Sequence, residues 1–233
     1  MISSPLFRSK NTRKMLLCVP LAFSVLTMSS VRADKPQPKW IDLPLKSEVW
    51  ESCNFGGDGE LEFSDGQVVM TEGDPMTGIK LVNKFPTDNY EVRFEAKRID
   101  GLDFFVGFTF PVDKSHCSLI LGGWSGSVVG ISNIDGYDAS DNPTTLIRDF
   151  DNDKWFRVRV AVQADRIVAW VDDEKIVDQK RAGVELDIRG EMDASLPFGI
   201  SAFLCKVAYR KIQYRMLDKA TKPSAPKSKE KSR

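Results

Sequence analysis

Several side chains in this sequence have the types and spacing to do chemistry. Glu91 and Glu95 stand four apart, with Arg93 between them, in YEVRFEAKRI (90–99). A pair of carboxylates can cleave a glycosidic bond, and a retaining pair needs its carboxyl groups about 5–5.5 Å apart. Positions i and i+4 of a strand lie roughly 13 Å apart, so these side chains would have to lean together. The alternative is a solvated charged face on which Arg93 pairs with the glutamates. Asp103 precedes the apolar run FFVGFTF (104–110). A carboxylate at such a border can have a raised pKa and act as a base, or it can hold a turn with Gly101. His116 is the single histidine and titrates in a range suited to proton transfer. No Ser/His/Asp order can be assembled around it, so an incidental role is the alternative. The catalytic candidates are Glu95, Asp103 and His116.

The binding candidates come next. Trp124 lies in GGWSG (122–126), between two apolar runs. An indole offers an apolar face and a polar N–H tip, which suits stacking on a sugar ring. The alternative is a ring folded back as a core plug, with the glycines making room. Arg93, Asp135 and Asp138 are the polar groups expected to orient a substrate. Asp138, Asp141 and Asn142 put oxygen ligands close together on one loop, a composition able to hold Ca²⁺. Their spacing does not match an EF-hand loop, and turn chemistry alone enriches loops in Asp and Asn. No cofactor is expected to be required, with Ca²⁺ the one candidate. The chain contains no Gly-rich phosphate loop, no HExxH and no GxSxG elbow, which argues against nucleotide-dependent chemistry and common zinc peptidases.

These residues must be positioned by a folded body, and the two ends look unlike one. Residues 1–33 begin with Arg8, Lys10, Arg13 and Lys14, continue through an apolar run (MLLCVPLAFSVLTM, 15–28) and close on Val31-Arg32-Ala33. That order is the layout of a secretory signal peptide, and the run is shorter than the roughly 20 residues a spanning helix needs. Export to the periplasm or the extracellular space is expected, without a transmembrane span. Residues 34–47 read as a linker and 218–233 as a disordered basic tail, rich in Lys, Pro and Ser. The chain has 33 basic and 33 acidic residues. Five basic residues lie in 1–33, and six basic and one acidic in 219–233, so residues 34–218 keep 22 basic and 32 acidic, a net charge of −10. An acidic body argues against nucleic acid as partner and is compatible with a carbohydrate ligand. Oligomeric state is left open. Cys53, Cys117 and Cys205 permit at most one intramolecular disulfide.

Between the ends the sequence reads as strands. Residues 60–64, 67–72 and 77–82 are short runs broken by Asp-Gly and Gly-Asp-Pro, turn formers for backbone reasons. Ser64-Asp65-Gly66-Gln67 predicts a tight hairpin. In 90–99, Tyr90, Val92, Phe94 and Ala96 alternate with Glu91, Arg93, Glu95 and Lys97. Residues 155–162 alternate in the same way at their start, with Phe156, Val158 and Val160 opposite Arg157 and Arg159, and 165–172 sets Ile167, Ala169 and Val171 opposite Val168 and Trp170; 206–216 forms the last strand, and 104–110, apolar on both faces, belongs at the centre of a sheet. Residues 184–195 lack a helical stripe. Many short strands with turns between them predict an all-β protein, a two-sheet antiparallel jelly-roll sandwich over residues 48–217.

YEVRFEA (90–96), GLDFFVG (101–107), Gly122-Gly123-Trp124, Val129-Gly130, Ile134-Asp135-Gly136, Trp155-Phe156 leading to Arg159, and RIVAWVDD (166–173) together resemble the bacterial 3-keto-disaccharide hydrolase domain family, of the concanavalin A-like lectin/glucanase folds. The likeness spans roughly residues 48–217. It implies an exported carbohydrate-active protein that cleaves a disaccharide carrying a ring ketone, by proton abstraction beside the ketone and expulsion of the neighbouring sugar. Retaining glucanases of this fold class carry an Asp between their two glutamates, where this chain has Arg93. Three functions stay open on sequence: a glycoside-cleaving hydrolase or lyase, a non-catalytic laminin-G-like carbohydrate-binding module, and a cell-envelope interaction domain.

Overall fold

A computed structural model describes residues 38–218; the signal segment, residues 34–37 of the linker and the tail from Lys219 lie outside the described residues. The first strands are β1 (Ile41–Asp42), β2 (Trp50–Ser52), β3 (Leu61–Ser64), β4 (Gln67–Met70), β5 (Met76–Leu81) and β6 (Tyr90–Gly101). They are followed by β7 (Val106–Val112), β8 (Ser115–Gly122), β9 (Val128–Ser132), β10 (Leu146–Ile147) and β11 (Phe156–Val162). The last are β12 (Arg166–Val171), β13 (Glu174–Lys180), β14 (Gly199–Phe203) and β15 (Cys205–Met216). One sheet runs β13-β12-β11-β6-β15-β4-β3, with β1 added beside β15; the other runs β10-β9-β8-β7-β14-β5-β2. All pairings are antiparallel, and the architecture is the two-sheet sandwich that the alternating strands predict. Among the described residues no helix is long and apolar enough to cross a membrane.

The alternation decides which side of each strand is buried. Tyr90, Val92, Phe94 and Ala96 of β6 face Phe156, Val158, Val160 and the apolar side of β15 within one continuous core. Phe108, Phe110, Leu119, Leu121 and Ile200 meet them from the second sheet. Two buried tyrosines join the sheets: Tyr90 donates its hydroxyl to the Pro111 carbonyl and Tyr209 donates to that of Phe105, each at 2.6 Å. Asp65 and Gly66 both have positive φ (51° and 73°) and turn the β3–β4 hairpin, as Asp-Gly predicts. The central apolar strand starts two residues later than the run at 104–110, at Val106, and is fourth of seven in its sheet. Phe104 and Phe105 are left in the preceding loop, where the backbone bends into the functional region.

The outer face of the seven-stranded sheet carries an unusual row. Gly78, Ser201, Gly107, Ile120 and Gly130 are register partners across β5, β14, β7, β8 and β9. Small side chains let a further layer lie close. A Cβ on Gly107 would stand 2.8 Å from Ser201 Oγ and 3.1 Å from Met192 Cε, and one on Gly130 would stand 3.0 Å from the Ala139 carbonyl. The covering layer is the loop 133–145 and the segment 184–196, which ends in a 3₁₀ turn at Gly190–Ser195. Asn133 and Asp187 exchange backbone hydrogen bonds, and Asp135 N–H donates to the Glu185 carbonyl at 2.8 Å. Residues 184–195 are therefore a strap over a sheet, which explains both their charges and their missing helical stripe. Cys53, Cys117 and Cys205 are buried free thiols. Burial pushes the Cys53 thiol up to about 12, against a hydrogen bond to Ser195 that pulls it down, so it has none of the thiolate character reactivity requires.

Candidate functional site

Where the strap stops short of β8 and β14, the outer face opens into a pocket of about 260 Å³. Its floor is Met76, Ile120, Phe104, Met192 and Phe203 with the buried Ser132, and its rim is Asp103, Trp124, Arg189 and Glu191. An apolar floor with a few convergent polar groups is the usual form of a small-molecule site. Leu102 (76% exposed) and Leu204 (42%) continue the apolar surface at the Asp103 end.

Trp124 stands at the rim because the β8–β9 turn is held in a left-handed conformation. Gly122, Trp124, Ser125 and Gly126 have φ of 79°, 50°, 70° and 110°, a course that costs a non-glycine residue roughly 1–2 kcal/mol. Asp103 offsets this cost. Its Oδ2 accepts the Ser125 N–H at 3.1 Å and its Oδ1 accepts the Phe104 N–H at 2.7 Å. The indole is left 41% exposed, so it is a presented ring and not a core plug. Beneath the loop, the buried Arg98 donates to the Asp103 carbonyl (3.1 Å), the Phe150 carbonyl (2.6 Å) and Asn152 Oδ1 (2.6 Å), and none of these partners is a carboxylate. Arg98 fixes the backbone on which Asp103 and Trp124 depend.

Across the mouth, Arg189 donates to Asp138 Oδ2 at 2.9 Å and to Glu191 Oε1 at 2.8 Å. Its hydrogen bond holds the Glu191 carboxyl below the ordinary glutamate value, and Glu191 in return raises the Arg189 pKa. The site therefore offers a fixed guanidinium between two carboxylates, an indole and an apolar floor. It can hold a small polyhydroxylated ring by one face and present donors and acceptors to its hydroxyl or carbonyl oxygens.

The candidates from sequence are distributed as follows. Asp103, Trp124 and Asp138 come together here, Asp138 through Arg189. Asp135 lies at the strap's far end, with Oδ1 accepting the Glu185 N–H at 2.7 Å. His116 is on β8 outside the pocket, and partial burial lowers its pKa against the opposing pull of Asp187. Glu95 and Arg93 lie on the outer face of the other sheet, away from Trp124. Partial burial pushes the Glu95 carboxyl up, but hydrogen bonds from Lys211 and Arg210 together hold it below its ordinary value, the opposite of a poised general acid. The expected pairing of Arg93 with the glutamates is corrected: Glu91 is buried and binds Arg159 and Arg215, Glu95 binds Arg210 and Lys211, and Arg93 binds Gln213. The Ca²⁺ ligand set does not fit. Asp138 Oδ1 accepts from Ser140, Asn142 Oδ1 accepts from Thr144 N–H and hydroxyl, and the Asn142 amide donates to the carbonyls of Ile131, Tyr137 and Asp138. Among the described residues no three His, Cys, Asp or Glu side chains are gathered to hold a metal. Arg98, Arg189, Glu191 and Phe203 escaped the sequence reading. Arg189 and Glu191 left one mark, an unexplained Arg and Glu in a segment, 184–195, with no periodicity of its own; Arg98 and Phe203, in β6 and β14, left none.

No curated protein sequence matches the chain. Among solved structures, the sandwich is similar to one from work on endo-acting O-glycanases of human gut bacteria (10% identity, 78% of this chain and 100% of that one, TM-score 0.53). It is also similar to a galectin-like protein of unknown function from Bacillus subtilis (13%, 76% and 94%, TM-score 0.51). A third likeness is to domain 4 of AbnA, an extracellular arabinanase of Geobacillus stearothermophilus solved with arabinotriose (12%, 77% and 93%, TM-score 0.50). At these identities the likeness is one of fold. A family model matches residues 46–215, and the chain belongs to the 3-keto-α-glucoside-1,2-lyase-like domain family.

Proposed function

We propose that the protein binds a saccharide with one sugar unit in the Trp124 pocket. The observation that carries the reading is the indole held half exposed, in a strained turn anchored by Asp103, over an apolar floor with Arg189 and Glu191 opposite. Family membership and the carbohydrate-linked folds it resembles are consistent with that ligand class. Residues 1–33 favour export, so the ligand is one met outside the cytoplasm.

A second reading, cleavage of 3-keto-glycosides, is favoured by the Arg189–Glu191 pair at the mouth. A ketone at C3 acidifies the C2–H. Glu191 would take that proton, the released electron pair would form the C1=C2 double bond, and the C1–O bond would break, its oxygen leaving on the neighbouring sugar with a proton from solvent. Arg189 would stabilise the enolate oxygen on C3. The low pKa of Glu191 makes it a weak base, which is why binding stands first. Incubating the protein with a 3-keto-disaccharide and following both retention and release of free sugar tests the two together. Binding that Trp124→Ala removes, without release, supports the first reading. Release that Glu191→Gln abolishes while binding persists moves the protein to the second. Neither binding nor release sinks both.

A further inference from the structure

The opposite side of the sandwich carries a second cluster of basic and aromatic side chains. On the outer face of the eight-stranded sheet, Trp170, Arg159, Arg93 and Gln213 are register partners across β12, β11, β6 and β15. Arg159 and Arg93 thus stand directly opposite one another on neighbouring strands, an arrangement of like charges that destabilises a sheet. The acids nearby do not resolve it. Glu91 takes Arg159 and Arg215, Glu95 takes Arg210 and Lys211, and Arg93 has no carboxylate partner among the described residues. Each glutamate leaves one positive charge over and Arg93 adds a third, on a body whose net charge is −10. Arg157, at one end, meets both Asp172 and Asp173, which returns one negative charge, so the groups named here sum to +2.

The arginines are also held in place. Arg159 lies 3.6 Å over the Trp170 ring, Arg93 lies 4.0 Å over Trp40, and Arg210 lies 4.0 Å over Trp155. Three of the chain's five tryptophans therefore sit on this outer face, where an ordinary solvated sheet would carry polar residues. Stacking fixes guanidinium planes while leaving their N–H edges open, and a fixed fork matches a carboxylate or sulfate in two-point contact. Among the described residues Arg93 uses only Nε, for Gln213 Oε1 at 2.7 Å. Arg93, Arg159, Trp170 and Lys211, together with the carboxylates of Glu95 and Asp173, line a groove of about 400 Å³, larger than the Trp124 pocket.

We propose that this groove binds an anionic polysaccharide, with a carboxylate or sulfate of one sugar unit between Arg93 and Arg159 and an adjoining ring against Trp170. Two like charges held side by side, of which only Arg159 has a carboxylate partner among the described residues, point to an anion from outside the protein. Basic and aromatic residues together also suit nucleic acid; the two glutamates pair off four of the basic residues and leave Arg93 as the one without a carboxylate partner, which suits a single anionic group better than a run of phosphates, and the oligonucleotide arm of the test separates the two.

The test is affinity electrophoresis of the full chain through gels containing polygalacturonate, dextran sulfate or unmodified dextran, with competition by a single-stranded oligonucleotide. Wild type is expected to be retarded by one or both acidic polymers, which tells carboxylate from sulfate, and not by dextran. Arg93→Gln should weaken that affinity roughly tenfold or more, from the loss of a charge-assisted pair, with little change in Tm, since the repulsion it removes offsets the lost stacking on Trp40 and bond to Gln213. Lys211→Gln, at a well-exposed side chain, should weaken it less and serves if Arg93→Gln misfolds. Trp124→Ala should leave the acidic-polymer affinity unchanged, which separates this site from the pocket. Equal affinity of wild type, Arg93→Gln and Lys211→Gln would assign any retention to the basic residues 219–233, present in all three, and would overturn the proposal. So would retention by no acidic polymer, or stronger binding of the oligonucleotide.

Discussion

Asp103→Ala separates an anchoring role for this carboxylate from a chemical one. Its two oxygens accept the N–H groups of Phe104 and Ser125 at 2.7 and 3.1 Å. Both bonds are charge-assisted, but the Ser125 bond is exposed to solvent, so each contributes at the low end, about 1 kcal/mol. Against the pair stands the left-handed course of Trp124 and Ser125, which costs about 2–4 kcal/mol for two residues. Removing about 2 kcal/mol of anchorage is therefore enough to release the turn. Asp103→Ala is expected to lower Tm by roughly 4–8 °C for a domain of this size, and Asp103→Asn, which keeps one acceptor, by about half as much. In both variants the near-ultraviolet circular dichroism of Trp124 should weaken and saccharide affinity should fall in step with stability. Wild-type Tm combined with abolished sugar release in Asp103→Asn would refute the anchoring account and make Asp103 a catalytic group.

Other consequences follow from the same geometry. Arg98→Met keeps bulk but strips donors from the buried Phe150 carbonyl, the part-buried Asp103 carbonyl and Asn152; a loss of about 3 kcal/mol in urea unfolding is expected, with Trp124 fluorescence shifting as the loop loosens. Gly107→Val places atoms against Ser201, Phe104 and Met192; overpacking should cost about 1–3 kcal/mol, and proteolysis within 184–196 should accelerate as the strap lifts. The folded Glu95 carboxyl lies below its unfolded value of about 4.5, so the unfolded chain takes up that proton first. Its contribution to stability is present above pH 4.5 and is lost as pH falls through the folded value. Glu95→Gln should flatten the acid limb of a stability–pH curve and leave the neutral region less affected.

The fold was legible where one rule dominated. The period-two pattern of β6 and β11 could bury only one face, Asp65-Gly66 could make only a left-handed turn cheaply, and a run apolar on both sides had to lie inside a sheet. The site was legible only in part. Glycines on both sides of Trp124 signalled a turn that presents a ring, and Asp103 was marked by its place before an apolar strand. What joins them is tertiary. Ser125 N–H meets Asp103 across 22 residues and Arg189 meets Asp138 across 51, distances no local pattern encodes. Glu91 and Glu95 looked alike by alternation, yet pairing with Arg215 and Arg159 buried the first, because strand register, set by the whole sheet, chooses the partners. The row Gly78, Gly107 and Gly130 was visible as glycines but not as a row, since it runs across strands and not along one.

The most direct measurement of the central claim is calorimetric titration of the full chain with a 3-keto-disaccharide and its parent disaccharide, beside Trp124→Ala. The pocket account predicts saturable binding by wild type, at least tenfold weaker in Trp124→Ala with Tm unchanged, as loss of a half-exposed stacking ring requires. Binding of equal strength in both proteins, or none in wild type, would contradict it.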